Sequence, residues 1–157
     1  MKITLINIGK TDMDVVNEGV KLYEKRIKKY VPFEIIYLTD IKSRRNLNMQ
    51  QQQEAEGRSI LKAIDKADYI ILLDERGKEY TSINFAVHLQ ELMNRSIKQL
   101  VFVTGGPYGF SGEVYKRSTE LISLSQMTFS HQLVRLIFTE QLYRALTIIK
   151  GEPYHHS

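Results

Sequence analysis

Short apolar runs of four to seven residues alternate along this chain with longer stretches in which apolar residues recur every three or four positions. The runs suit strands buried on both faces, and the longer period suits helices that cover them. Residues 2–8 predict the first strand, closed by Gly9. Val16, Val20, Tyr23, Ile27 and Tyr30 follow at helical spacing, with Thr11 and Asp14 predicting a capping box and Pro32 a stop. Residues 33–38 predict a second strand. Residues 39–53, with Lys42, Arg44, Arg45 and the glutamine run from Gln50 to Gln53, are too polar for core. They predict a mobile connection into a helix over about 54–66, whose stripe is Ile60, Leu61 and Ile64. A third strand spans 69–73, and Ser82 is the expected cap of a helix carrying Phe85, Ala86, Leu89, Leu92 and Met93. A fourth strand spans 100–103, a short helix starts at Ser111, a fifth strand lies near 121–124, and a last helix covers about 131–150.

This order is that of an α/β domain with a mostly parallel sheet and flanking helices. At 157 residues one domain is expected, and neither a linker nor an internal repeat divides the chain. The last helix is apolar almost all round, through Leu133, Val134, Leu136, Ile137, Phe138, Leu142, Ala145, Leu146, Ile148 and Ile149. Covering two of its sides predicts a second subunit.

Composition narrows the chemistry. The absence of cysteine excludes disulfides, thiolate metal sites and cysteine nucleophiles. The opening MKITLINIGK is too short for a signal h-region or a membrane span, so a cytoplasmic protein is expected. A net charge of +4 permits a nucleic-acid partner without requiring one. Charge is uneven: 9 of the 40 charged residues fall after residue 100, which directs attention to the few ionic groups of the apolar last third.

Three constellations there could carry chemistry. Thr104-Gly105-Gly106-Pro107-Tyr108-Gly109-Phe110-Ser111 runs from a buried strand into a helix, where glycines open the backbone to a ligand. It is neither a Walker A loop nor the dinucleotide fingerprint, and a tight turn is its bland reading. Leu124, Ser125, Gln126, Met127, Thr128 and Phe129 combine small polar groups with apolar ones, a mix that suits an adenine and is also met in ordinary serine-rich loops. The last helix and tail hold His131, Arg135, Glu140, Tyr143, Arg144, Tyr154, His155 and His156. His131 and Arg135, like Glu140 and Arg144, are spaced i,i+4 on one face, which by itself is also the spacing of a plain helix ion pair. With no cysteine and few nearby carboxylates, no metal site is expected. Lys21, Lys25, Arg26, Lys28 and Lys29 suit phosphates or a solvated helix face.

The blocks FVTGGPYGF (102–110), ISLSQMTFSHQLVRLIFTEQLYRA (122–145) and the terminal GEPYHH, together with MKITLINIGK and IILLDERGK, resemble the ribosomal large subunit pseudouridine methyltransferase H family, minimal members of the SPOUT methyltransferases. The resemblance spans essentially the whole chain. It implies a homodimer with a deep C-terminal trefoil knot and S-adenosylmethionine as cofactor and methyl donor, held by Leu73, Gly105, Leu124, Ser125, Gln126, Met127, Thr128 and Phe129. It further implies methylation of N3 of a pseudouridine in 23S rRNA on the assembled ribosome.

On that resemblance, His155 is the candidate for handling the N3 proton or fixing the base, with Arg144 and Tyr154 orienting it. His131, Arg135 and Glu140 are expected to shape the pocket floor, and Lys25 and Arg26 to meet RNA, one subunit supplying the donor pocket and the other the basic groups. Relatives tend to end in Pro-Tyr-His followed by Lys or Arg, where this chain has His156, a titratable group in place of a permanent charge. Rival readings are a catalytically silent rRNA-binding assembly factor and a related methyltransferase acting on tRNA.

Overall fold

Among the residues that the computed structural model describes, 1–39 and 47–155, strands and helices alternate throughout. They run β1 (Lys2–Ile8), α1 (Asp14–Ile27), β2 (Phe33–Leu38), α2 (Met49–Ala63), β3 (Tyr69–Glu79), α3 (Ser82–Asn94), β4 (Gln99–Thr104), α4 (Gly112–Arg117), β5 (Glu120–Ser123) and α5 (Leu133–Ile149). Lys42, Arg44, Arg45 and His156 lie outside the described residues, so the expectations attached to them stay with the sequence.

The sheet has the order β2-β1-β4-β3-β5, and each of its strand pairings is parallel. Strand alternation sorts the side chains onto two faces. Ile3, Leu5, Leu100, Phe102 and Ile71 turn toward α1, α3 and α5, where they pack with Ile27, Phe85, Leu89, Phe138 and Leu142. Ile6, Ile8, Val101, Val103, Ile70 and Leu72 turn the other way, onto Ile60 and Ile64 near α2 and Val114 of α4. Both faces are covered, which is why these strands read as apolar runs rather than alternating ones. No helix among the described residues is long and apolar enough to cross a membrane.

Several local expectations are corrected. Thr11 does not cap α1: the N-cap is Met13 without a side-chain bond, because the Thr11 hydroxyl accepts from Arg135 Nη1 at 3.0 Å instead. Helix α2 begins five residues early, since Asn48 and Gln51 form a reciprocal capping box. Thr81, not Ser82, caps α3, accepting from Asn84 N at 3.1 Å, while Ser82 donates to Gln141 of α5 at 2.8 Å. Strand β3 runs six residues beyond its apolar run, resuming its pairing with β5 after a register shift between Leu73 and Lys78. Gly77 lies in that shift, and a Cβ there would fall 2.5 Å from the Ile122 nitrogen, so β5 crosses where only glycine fits. Helix α5 packs against α1 and α3, while Leu133 is 40% exposed and Val134, Leu136, Ile137, Ile148 and Ile149 stay half-buried, so an apolar face remains for the expected second subunit.

Candidate active site

The parallel sheet ends its strands β3, β4 and β5 at a single edge, where open α/β sheets bind ligands. A cleft of about 1010 Å³ opens there. Leu73 and Asp74 from β3, Thr104 and Gly105 at the end of β4, and Ser123, Leu124, Ser125, Met127, Thr128 and Phe129 after β5 form its walls, and His131 and Val134 close one end. Of the expected donor contacts, the structure gathers all but Gln126, which turns toward Glu79, donating to Oε2 at 3.5 Å.

The glycine loop is a closed turn. Gly109, at φ +72°, donates to the Gly106 carbonyl at 3.1 Å around Pro107 and Tyr108. The following loop is shaped by its serines: Ser123 Oγ donates to the Ser125 carbonyl at 3.0 Å, and Ser125 Oγ accepts from Met127 N at 2.9 Å. Met127 is left 77% exposed at the cleft, an apolar side chain available to a ligand.

One cleft group lies outside the sequence reading. The Asp74 carboxylate, 8% exposed, accepts from Arg76 N at 2.9 Å, from Arg76 Nε at 3.1 Å and from the Tyr115 hydroxyl at 2.5 Å. Burial pushes its pKa upward, and donation from Arg76 and Tyr115 outweighs that, holding it below the usual carboxylate range. Burial and the bond to Asp74 push the Tyr115 hydroxyl up to about 12. The cleft wall therefore carries a fixed Asp74–Arg76 ion pair, with Glu75 between them in the chain. The Asp-Glu-Arg-Gly spacing was visible, yet nothing in it distinguishes a surface turn from this cluster.

A second group assembles along α5 and the tail. Arg144 donates to Glu140 Oε1 from Nη2 at 2.5 Å and from Nε at 3.1 Å, and Tyr154 donates to the same oxygen at 3.1 Å. The carboxylate raises the Arg144 pKa further. The Tyr154 pKa is raised by burial and by its bonds to Tyr23 and Glu140. Arg144 Nη1 lies 3.3 Å from His155 Nδ1. Arginine only donates, so Nδ1 accepts and the imidazole hydrogen sits on Nε2. Arg26 of α1 joins this group, its guanidinium 5.6 Å from the Tyr23 ring and 5.5 Å from that of Tyr143, with Lys25 exposed beside it.

The two groups do not meet within one chain. Val134 and Arg144 are ten residues apart on α5, about 15 Å along the axis. Among the pocket-floor candidates, His131 lines the cleft, whereas Arg135 and Glu140 lie outside its lining. Arg135 is 1% exposed and donates to the Ile8 carbonyl at 2.5 Å.

Comparison with known proteins agrees with this architecture. Residues 1–155 match the family model described as predicted SPOUT methyltransferase. The chain is 56% identical over 156 residues to a protein of Parabacteroides distasonis named ribosomal RNA large subunit methyltransferase H, covering 99% of both chains. It is 52% identical, at the same coverage, to the protein of that name from Christiangramia forsetii. Among solved structures, a probable methylase family protein from Haemophilus influenzae superposes with a TM-score of 0.55 at 10% identity, covering 99% of this chain and 70% of that one. A probable methyltransferase from Bordetella pertussis gives 0.53 at 10% identity, over 92% and 96% of the two chains. Such low identities speak for the fold, whereas the full-length likeness above 50% speaks for kinship. The chain belongs to the SPOUT methyltransferase family, in its ribosomal RNA large subunit methyltransferase H branch.

Proposed function

We propose that this chain transfers a methyl group from S-adenosylmethionine to N3 of a pseudouridine in 23S rRNA, acting as a homodimer on the assembled ribosome. The observation that carries the reading is the gathering of Leu73, Gly105 and the 124–129 loop around one cleft. The names of the close relatives support an rRNA target.

The cleft fits such a donor. Its volume of about 1010 Å³ stands at the top of the roughly 300–1,000 Å³ typical of small-molecule sites. Met127 and Phe129 offer apolar surfaces, Gly105 lets the turn close on itself, since a Cβ there would fall 3.3 Å from the Phe110 ring, and the Asp74–Arg76 ion pair supplies the polar part of the wall. When bound, S-adenosylmethionine supplies an electrophilic methyl group.

The remaining requirements fall on the tail group. Its distance along α5 from the cleft supports an arrangement in which the tail of one protomer faces the cleft of its partner. The knotted C-terminal path of the family belongs to the same proposal. His155, with its hydrogen on Nε2, donates to a carbonyl oxygen flanking N3 and stabilises the imidate left when the N3 proton passes to bulk water. Arg144 fixes that tautomer while Glu140 and Tyr154 hold the guanidinium, and Lys25 and Arg26 beside them meet phosphates. This favours the base-fixing role of His155 over proton acceptance.

The test is transfer of labelled methyl groups to ribosomes, free rRNA and tRNA, with mass spectrometry of the product nucleoside. Labelling of ribosomes at a pseudouridine is expected. Labelling of tRNA alone overturns the substrate, and no transfer at all favours a silent rRNA-binding factor. Heterodimers of a Gly105→Val chain and a His155→Ala chain are expected to recover activity that neither parent has.

A further inference from the structure

The glutamine run at the start of α2 has four separate tasks. Gln50 Nε2 donates to Glu54 at 3.1 Å, and Gln51 closes the capping box with Asn48. Gln52 Nε2 donates to the buried Glu56 at 2.9 Å. Gln53 reaches across to another element: its Nε2 donates to the Tyr108 carbonyl at 2.9 Å and to the Phe110 carbonyl at 3.0 Å.

Those two carbonyls flank Gly109, the left-handed residue of the glycine turn. The turn is pinned from the same helix at two further points. A Cβ on Gly106 would fall 2.3 Å from Glu56 Oε2, and a Cβ on Gly57 would fall 2.3 Å from Ser111 Oγ. Helix α2 therefore lies directly against the loop that walls the cleft, and Gln53 itself lines that cleft. Both amide hydrogens of Gln53 are spent on the turn, so neither is left for a ligand.

We propose that Gln53 is a positioning residue for the donor loop, acting through the Tyr108 and Phe110 carbonyls to hold the 105–110 turn in its ligand-ready shape. This rests on the reading of the cleft as an S-adenosylmethionine site. A loop already ordered loses less freedom on binding, so the clamp raises donor affinity without touching the reacting atoms. The contact is invisible to local reading, because the helix had to start at Asn48 before Gln53 could face the turn.

Calorimetric titration of the full chain with S-adenosylmethionine tests it, alongside methyl-transfer kinetics on ribosomes. Gln53→Met keeps length and loses both donors; its dissociation constant and the donor KM are expected to rise about tenfold, with kcat within about twofold. Gln50→Met, which loses only the Glu54 contact, is expected to bind as wild type does. Gln53→Asn, too short to span the gap yet still polar, provides a second donor-loss variant should Gln53→Met not fold, and is expected to match the Met variant. Wild-type affinity in the Met or Asn variant overturns the proposal, as does an equal loss in Gln50→Met, which would indicate general weakening of α2. No binding by the wild-type chain overturns the donor reading itself, and this inference with it.

Discussion

Arg135 Nη2 donates to the carbonyl oxygen of Ile8 at 2.5 Å, tying the first turns of α5 to the end of β1 across 127 positions of sequence. Its Nη1 holds Thr11, just beyond the same strand, at 3.0 Å. Arg135→Met would fill much of the space and leave those acceptors without their donor. A loss of about 2–4 kcal/mol in urea unfolding is expected, as orphaned buried polar groups cost about 1–3 kcal/mol each. A loss below about 1 kcal/mol would make the contact incidental.

Gly77 faces the backbone of β5, where no side-chain rotation relieves a clash. Gly77→Ala is expected to destabilise by about 1–3 kcal/mol and to weaken donor binding, because the same crossing aligns Leu73 with Ile122 at the cleft. Chemical unfolding and donor titration of this variant measure the two effects separately.

The Tyr154 hydroxyl bonds Glu140 at 3.1 Å and lies 3.3 Å from the Tyr23 hydroxyl, while its ring stands under the Arg144 guanidinium at 4.7 Å. Tyr154→Phe retains the stacking and loses the polar bonds. On the proposed mechanism, methyl transfer falls by about tenfold to a hundredfold with donor affinity unchanged. Equal losses in both quantities would move this residue into the donor site.

Tyr30, Tyr69, Tyr80, Tyr115 and Tyr154 all have raised hydroxyl pKa values, Tyr80 and Tyr115 to about 12. For Tyr80 the cause is burial, then its bond to Glu120. A raised folded pKa favours the protonated native state, so this stability is complete below the unfolded value near 10 and is lost as pH climbs through the folded one. Absorbance titration at alkaline pH should reveal a late-ionising class among the nine tyrosines that disappears in denaturant.

Asp74 has the opposite sign. Its lowered pKa means that its contribution is present above the unfolded value near 3.9 and is lost as pH falls through the folded value. The stability gap between wild type and Asp74→Asn should be constant above about pH 5 and narrow below about pH 4. Thermal unfolding across that interval checks it.

The inner strands were legible because burial on both faces leaves them mostly apolar, with Thr4 and Asn7 the buried polar residues of β1, and β1 and β2 fall where their apolar runs do. Helix starts were less so. Thr11 has the right type and spacing for a cap, but a guanidinium 124 residues away claims its hydroxyl, and no local rule can see that. At Asn48 the box with Gln51 was readable, yet the glutamine run masked it as linker. The cleft loops announced themselves through glycines and small polar residues. Asp74 and Tyr115 did not, because their pairing at 2.5 Å depends on the register shift in β3.

The strand order has a temporal meaning as well. β1 has β2 on one side, and on the other it must wait for β4, which is made about 90 residues after it. Until Gln99–Thr104 emerges, the nascent chain carries an unfilled edge at what will be the middle of its sheet. The β1–β4 pairing thus closes a loop of about 90 residues, the kind of long-range contact that slows folding, and the growing chain keeps that edge exposed until β4 is made.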